Sequence, residues 1–206
     1  MNKTIPAPRE FIRLLPSPQK APFVSVNDFT PSEDREEMLN ALADEGANTK
    51  TIRNIARSAI GKLAVELKRE PTDLELSQRL LDTVHQLVQY GDDPADGEQY
   101  SRVVTTLMPV DGMEISPITG LPKGRGDCDD MAVLFSSMCR AAAMHSDVIW
   151  VDQRGAAFNH IAAVMCASSG DRCYWVETTL PGARVGETTQ AALERLRTRG
   201  RKDIGL

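Results

Sequence analysis

Gly124-Arg125-Gly126-Asp127-Cys128-Asp129-Asp130-Met131-Ala132 is the stretch from which the rest of the chain is read. Two glycines deliver a cysteine to the start of an apolar segment. Downstream, Met131, Leu134, Phe135, Met138, Cys139 and Ala142 recur at three- and four-residue spacing. That spacing predicts a helix from Cys128 to about Met144 with one buried stripe. Gly124 and Gly126 permit a sharp turn and a close approach to another surface. Cys128 then falls in the first helical turn, where unpaired backbone N–H groups and the helix dipole favour an anion. A thiolate is such an anion, and it is the form of cysteine that attacks carbonyls.

Two strands are expected downstream. One is the run Phe158-Asn159-His160-Ile161-Ala162-Ala163-Val164-Met165-Cys166, and the other is Arg172-Cys173-Tyr174-Trp175-Val176-Glu177-Thr178. Ala167-Ser168-Ser169-Gly170-Asp171 forms the turn between them. If Cys166 lies opposite Cys173, Ala162 faces Glu177 and His160 faces Thr179. His160 and Glu177 are then diagonal neighbours on one sheet face. A one-residue slip would put them on opposite faces. Val148-Ile149-Trp150-Val151 reads as a buried strand that extends this hairpin to an antiparallel sheet of at least three strands. Helices with such a sheet make the fold class α+β.

A cysteine opening a helix, then a histidine and a carboxylate on adjacent strands, resembles the transglutaminase-like cysteine protease superfamily. The residues that carry the resemblance are Gly126-Asp127-Cys128-Asp129-Asp130, Asn159-His160 and Trp175-Val176-Glu177. With Tyr90-Gly91-Asp92-Asp93-Pro94 and the helical lead-in, the chain is most similar to the short members encoded in bacteriophage and prophage genomes. The similarity covers roughly residues 48–182. It implies a papain-like transglutaminase core, a nucleophile helix packed on an antiparallel sheet, with an N-terminal helical extension. It also implies a peptidase or amidase acting on a protein or peptide, with Cys128 as nucleophile, His160 as general base and acid, and Glu177 orienting the imidazole. The third member is usually Asp, and Glu177 is one methylene longer. No cofactor is required, but some relatives bind calcium through acids beside the nucleophile, which makes Asp127 and Asp129 candidate ligands. Helix capping is the alternative role for the same two residues. The alternative function is a virion structural or assembly protein of head, neck or tail, in which the fold is an interaction module with a disused site.

Composition narrows the field. A chain of 206 residues with 41% hydrophobic residues can bury a core, but aromatics are only 5%, so aliphatic and methionine packing must dominate. A net charge of −5 argues against general nucleic-acid binding. No run approaches the ~18 apolar residues of a membrane span, so no membrane partner is expected. Met1–Pro8 has no apolar signal core, so the cytoplasm is the expected location, with a virion as the alternative that the resemblance adds. There is no CxxC pair, which argues against structural zinc. Cys139 reads as a small core residue. Cys166 and Cys173 are thiols in a reducing compartment, or a cross-link in an oxidising one.

Four regions follow along the chain. Residues 1–29 are a Pro-rich segment, read either as a solvated tail or as an extended apolar arm that docks on neighbouring phage subunits. Residues 30–90 are an N-terminal helical region. Its first helix is opened by Thr30, Pro31 and Glu33, the second runs over about 49–69, and the third opens on the capping box Thr72–Glu75 and closes at Gly91. Residues 91–187 are the transglutaminase-like core, with 91–127 a long loop forming one wall of a cleft. Residues 188–206 are a last helix and a basic tail containing Arg195, Arg197, Arg199, Arg201 and Lys202. His85 and His145 read as structural histidines, His145 at the end of the cysteine helix.

Overall fold

The computed structural model describes residues 23–25, 32–92, 99–151, 160–170 and 172–193. In chain order they form β1 (Phe23–Ser25), α1 (Ser32–Ala47), α2 (Lys50–Leu67), α3 (Asp73–Leu87), β2 (Val88–Tyr90), β3 (Gln99–Ser101), α4 (Val103–Thr106), β4 (Gly124–Gly126), α5 (Cys128–Ala141), β5 (His145–Val151), β6 (His160–Cys166) and β7 (Cys173–Val176). The fold is α+β. β1 pairs antiparallel with β3, β2 pairs parallel with β4, and β5-β6-β7 form an antiparallel sheet. Most of the Pro-rich segment, Thr30 and Pro31 of the helix start signal, the residues Phe158 and Asn159, and the basic tail lie outside the described residues. No helix among the described residues is long and apolar enough to cross a membrane.

Local signals explain the helices that lead in. Thr49 caps α2 by accepting from Ile52 N, and the backbone turns left-handed at Lys68 just past its end. At α3, Thr72 accepts from Glu75 N while Glu75 Oε2 accepts from Thr72 N at 2.9 Å, the reciprocal pair that satisfies two helix-end donors.

α5 is the axis of the molecule. Every residue from Asp129 to Cys139 is buried, with α1, α2 and α3 on its outer side and β5 and β6 packed against it. The expected single stripe is therefore an underestimate, because the helix is enclosed all round. Its serines are satisfied internally. Ser136 Oγ meets Ser146 Oγ at 3.1 Å, and Ser137 Oγ donates to Ala43 O (3.0 Å) and Val133 O (2.8 Å).

Several expectations are corrected. α5 ends at Ala141, three residues early, because Ala143 turns left-handed (φ 61) and Met144 N returns to Cys139 O at 2.9 Å. His145 therefore does not end the helix. It opens β5, and its Nε2 pairs with Asp147 Oδ2 at 3.0 Å. α3 stops at Leu87 rather than Gly91, since Val88, Gln89 and Tyr90 leave the helix to pair with Gly124, Arg125 and Gly126. Nor is 91–127 one long loop. It holds β3, α4 and β4, elements of three or four residues that are too short to display a period. The glycines of β4 serve close approach rather than a turn. A Cβ at 124 would overlap the Thr106 carbonyl oxygen, and one at 126 would come within 2.7 Å of Asp130 Cβ.

The hairpin register is the one that Cys166 opposite Cys173 sets: Met165 faces Tyr174, Val164 faces Trp175 and Ala163 faces Val176. Cys166 and Cys173 are joined as a disulfide. Cys128 and Cys139 remain thiols.

The outer edge of β5 is closed by α1. Asn40 Nδ2 donates to Val148 O (2.9 Å), Val148 N donates to Asn40 Oδ1 (3.0 Å), and Trp150 N donates to Glu36 Oε1 (2.5 Å). A side-chain amide thus replaces a neighbouring strand and removes an exposed pairing edge. Arg140 ties the same corner from α5, donating to Asn40 O and Ser146 O, each at 2.8 Å. Asn40→Ala leaves two backbone groups and the Arg140 guanidinium short of partners, at a cost of roughly 2–3 kcal/mol. Urea unfolding should register that loss, with aggregation near the midpoint as the edge of β5 opens.

Candidate functional site

The strand register brings two of the three expected residues into direct contact. His160 Nε2 lies 2.9 Å from Glu177 Oε2. Glu177 sits one residue past the end of β7 and is fully buried. Four donors surround its carboxylate. Thr179 N (3.1 Å) and Thr179 Oγ1 (2.7 Å) donate to Oε1, while His160 and the Thr189 hydroxyl reach Oε2. The longer side chain is thus held at both oxygens.

The charge follows from those contacts. Burial alone would raise the Glu177 carboxyl. The hydrogen bonds from His160, Thr189 and Thr179, with the charge of His160, outweigh it and bring the pKa from 4.5 down to about 2. Glu177 is therefore ionised at neutral pH and can only accept, so Nε2 of His160 carries the proton of that bond. In a neutral ring this leaves Nδ1 as a base.

Cys128 stands at the head of α5, which packs against β6, the strand that begins with His160. It is half-buried and packed against the core. Asp127 is the N-cap, and its Oδ1 accepts from Asp129 N (3.2 Å) and Asp130 N (3.4 Å), so the capping role expected of this residue is present. Tyr90 also belongs here. Burial and its hydrogen bond to Asp92 (2.9 Å) raise the phenol above its ordinary range, and the charges of Cys128 and Asp127 add to the shift. Cys139, by contrast, is fully buried, which raises its thiol far above the range of reactive cysteines.

The acids beside the cysteine converge. Asp127, Asp129 and Asp130 each offer an oxygen within 4.8 Å of the others, and all three residues are buried. Asp130 Oδ1 accepts from Ser101 N at 2.9 Å. Neither oxygen of the fully buried Asp129 accepts a hydrogen bond. Burial, then the Asp127 and Asp130 charges, push its carboxyl well above the usual carboxylate range, and a hydrogen bond shared with Asp127 favours the protonated form. Three converging carboxyl groups are an all-oxygen donor set, the chemistry that suits a hard cation such as calcium.

Three contributors escaped the sequence reading. Thr179 and Thr189 hold Glu177, and His85 of α3 approaches Thr178 O at 2.8 Å. Thr179 lies in an irregular segment, and Thr189, at the start of a helical run 12 residues past Glu177, carries no local signal that points to that partner. His85 lies 93 residues from its partner, a distance that no local pattern spans.

No protein-family model, no curated protein and no solved structure matches the chain.

The low Glu177 pKa has a defined pH consequence. A carboxyl whose folded pKa is depressed stabilises the protein above its unfolded value, and that contribution disappears as pH falls toward the folded one. A fall from 4.5 to about 2 corresponds to roughly 3 kcal/mol for this buried group. Urea unfolding of Glu177→Gln against the parent should show the full deficit at pH 7 and a shrinking one between pH 4.5 and 2.

Proposed function

We propose that the chain is a cysteine hydrolase of transglutaminase-like type, a peptidase or amidase, built on a papain-like core. The single observation that supports it is the His160–Glu177 pair, a buried ionised carboxylate 2.9 Å from an imidazole on the strand that packs against the cysteine helix.

The chemistry follows from the roles. Nδ1 of His160 takes the proton from Cys128 Sγ, and the thiolate attacks the carbonyl carbon of a peptide or glutamine amide. The oxyanion forms at the start of α5, where the Cys128 N–H and the helix dipole favour it. His160 then returns its proton to the leaving amine as the C–N bond breaks, which leaves a thioester on Cys128. Water on that thioester releases an acid, whereas an amine gives transamidation. Glu177 keeps the ring in the Nε2–H tautomer and stabilises the imidazolium between the two transfers.

The candidate cation ligands are Asp127, Asp129 and Asp130. When bound, calcium would offset the carboxylate charge that stands beside the Cys128 thiol. Calcium should therefore raise the melting temperature of the full chain by several degrees, and Asp129→Asn should abolish the increase. Equal melting temperatures with calcium and with chelator would remove the cation from the proposal and leave these residues a capping role.

The test of the hydrolase is thiol reactivity. An ordinary thiol of pKa ~8.5 is only about 1% thiolate at pH 6.5. Alkylation of Cys128 by iodoacetamide at that pH, assigned by mass spectrometry, should slow about tenfold or more in His160→Ala and several-fold in Glu177→Gln. Equal rates in all three proteins would sink the hydrolase and leave the fold as an assembly module with a disused site.

A further inference from the structure

We propose that His85 is a positioning residue for the candidate site, holding the backbone that carries Glu177 through a hydrogen bond from its Nε2–H to the carbonyl of Thr178. The inference rests on the proposed hydrolase reading for its functional meaning, but the geometry behind it stands by itself.

Glu177 lies beyond the last ladder pair of the sheet. β7 ends at Val176, paired with Ala163, and residues 177–179 follow without assigned strand structure. Within those three residues the Glu177 carboxylate folds back on its own chain to accept from Thr179 N and Oγ1. The direction in which the carboxylate faces His160 therefore depends on how the 178 peptide is turned. His85 Nε2 meets Thr178 O, the carbonyl of the peptide whose N–H at Thr179 bonds Glu177, at 2.8 Å. The two ends of one peptide unit are thus fixed from opposite sides, by α3 on the carbonyl and by the carboxylate on the N–H.

The direction of that bond is determined by chemistry. A carbonyl only accepts, so Nε2 of His85 must carry hydrogen. Burial lowers the His85 pKa, and Lys123 acts in the same sense, while the Thr178 carbonyl, Asp82 and Glu177 oppose them. The ring is thus a neutral donor near pH 7, a hydrogen-bonding strut rather than a second cation competing for Glu177. α3 is suited to the task because it braces the neighbouring segments too. Asp73 Oδ2 accepts from Ser168 N at 2.7 Å, and Gln78 bridges Ala183 O (3.2 Å) and Val185 N (3.0 Å). Of these three residues, only His85 touches the peptide that shapes the Glu177 carboxylate.

Two near-isosteric variants separate positioning from packing. Gln at 85 keeps an N–H donor at about the Nε2 position, whereas Met fills the volume without one. The readout is the His160 tautomer, observed by long-range 1H–15N correlation of the full-length protein at pH 7, with Cys128 alkylation measured beside it. We expect the parent and His85→Gln to hold His160 in the Nε2–H form. His85→Met should show mixed tautomers and alkylation slowed at least fivefold. Gln78→Ala should lower the melting temperature yet leave the tautomer intact. If His85→Met folds with the parent's tautomer, or if Gln and Met perturb it equally, the positioning role is overturned. The two readings fail separately. A tautomer that depends on the residue 85 donor, with alkylation that ignores His160→Ala, keeps the strut and discards the hydrolase. The reverse pattern keeps the hydrolase and discards the strut.

Discussion

Complete enclosure of α5 is the constraint on which the rest of the structure depends. A helix buried on every side needs partners on every side, and α1, α2, α3 and the β5–β6 face supply them. This explains why a chain with few aromatics builds its interior from Met131, Leu134, Met138, Ile161 and Met165, flexible or branched aliphatic groups that fill the space around one cylinder. It also explains the serines at Ser136 and Ser137. Small hydroxyls that satisfy themselves locally let neighbouring elements come close without leaving unpaired polar groups.

Enclosure also determines what can be reactive. The body of α5 is sealed, so the only part of it open to a ligand is an end, and at its first turn Cys128 is half-buried and three acids converge. β4 leads into that turn with glycine at both ends because its backbone runs against Thr106 and Asp130, leaving no room for a Cβ. The two cysteines of the one helix differ in burial. Cys139, deep in the same cylinder, is held as a thiol by burial, while Cys128 stands half-buried at the helix head beside three acids.

Much of this could be read in the residues alone. The 3–4 spacing after Cys128 marked the helix, and Thr72 with Glu75 marked the start of α3. A register with Cys166 opposite Cys173 puts His160 and Glu177 on one face, a one-residue slip would not, and the hairpin has the first register. What escaped reading did so for identifiable reasons. β2, β3, α4 and β4 are three or four residues long, below the length at which a period can be recognised. α3 ended early because the parallel partner of Val88–Tyr90 lies 36 residues further along the chain. His145 moved from helix to strand because a left-handed residue at Ala143 terminated α5 before its apolar pattern ran out.

The sequence by itself determined the local elements: where α2, α3 and α5 start, the two strands of the β6–β7 hairpin, and that a cysteine would stand at a helix head. Short-range hydrogen bonds and side-chain periodicity act within a few residues, so their marks survive in the one-dimensional order. Only the tertiary structure decided the surroundings of Glu177 and Asp129. One carboxyl is ionised under four donors drawn from residues 160, 179 and 189. The other is buried with neither oxygen accepting a hydrogen bond, and its pKa rises. The state of a buried acid is set by whatever the fold places against it, and those groups arrive from distant parts of the chain.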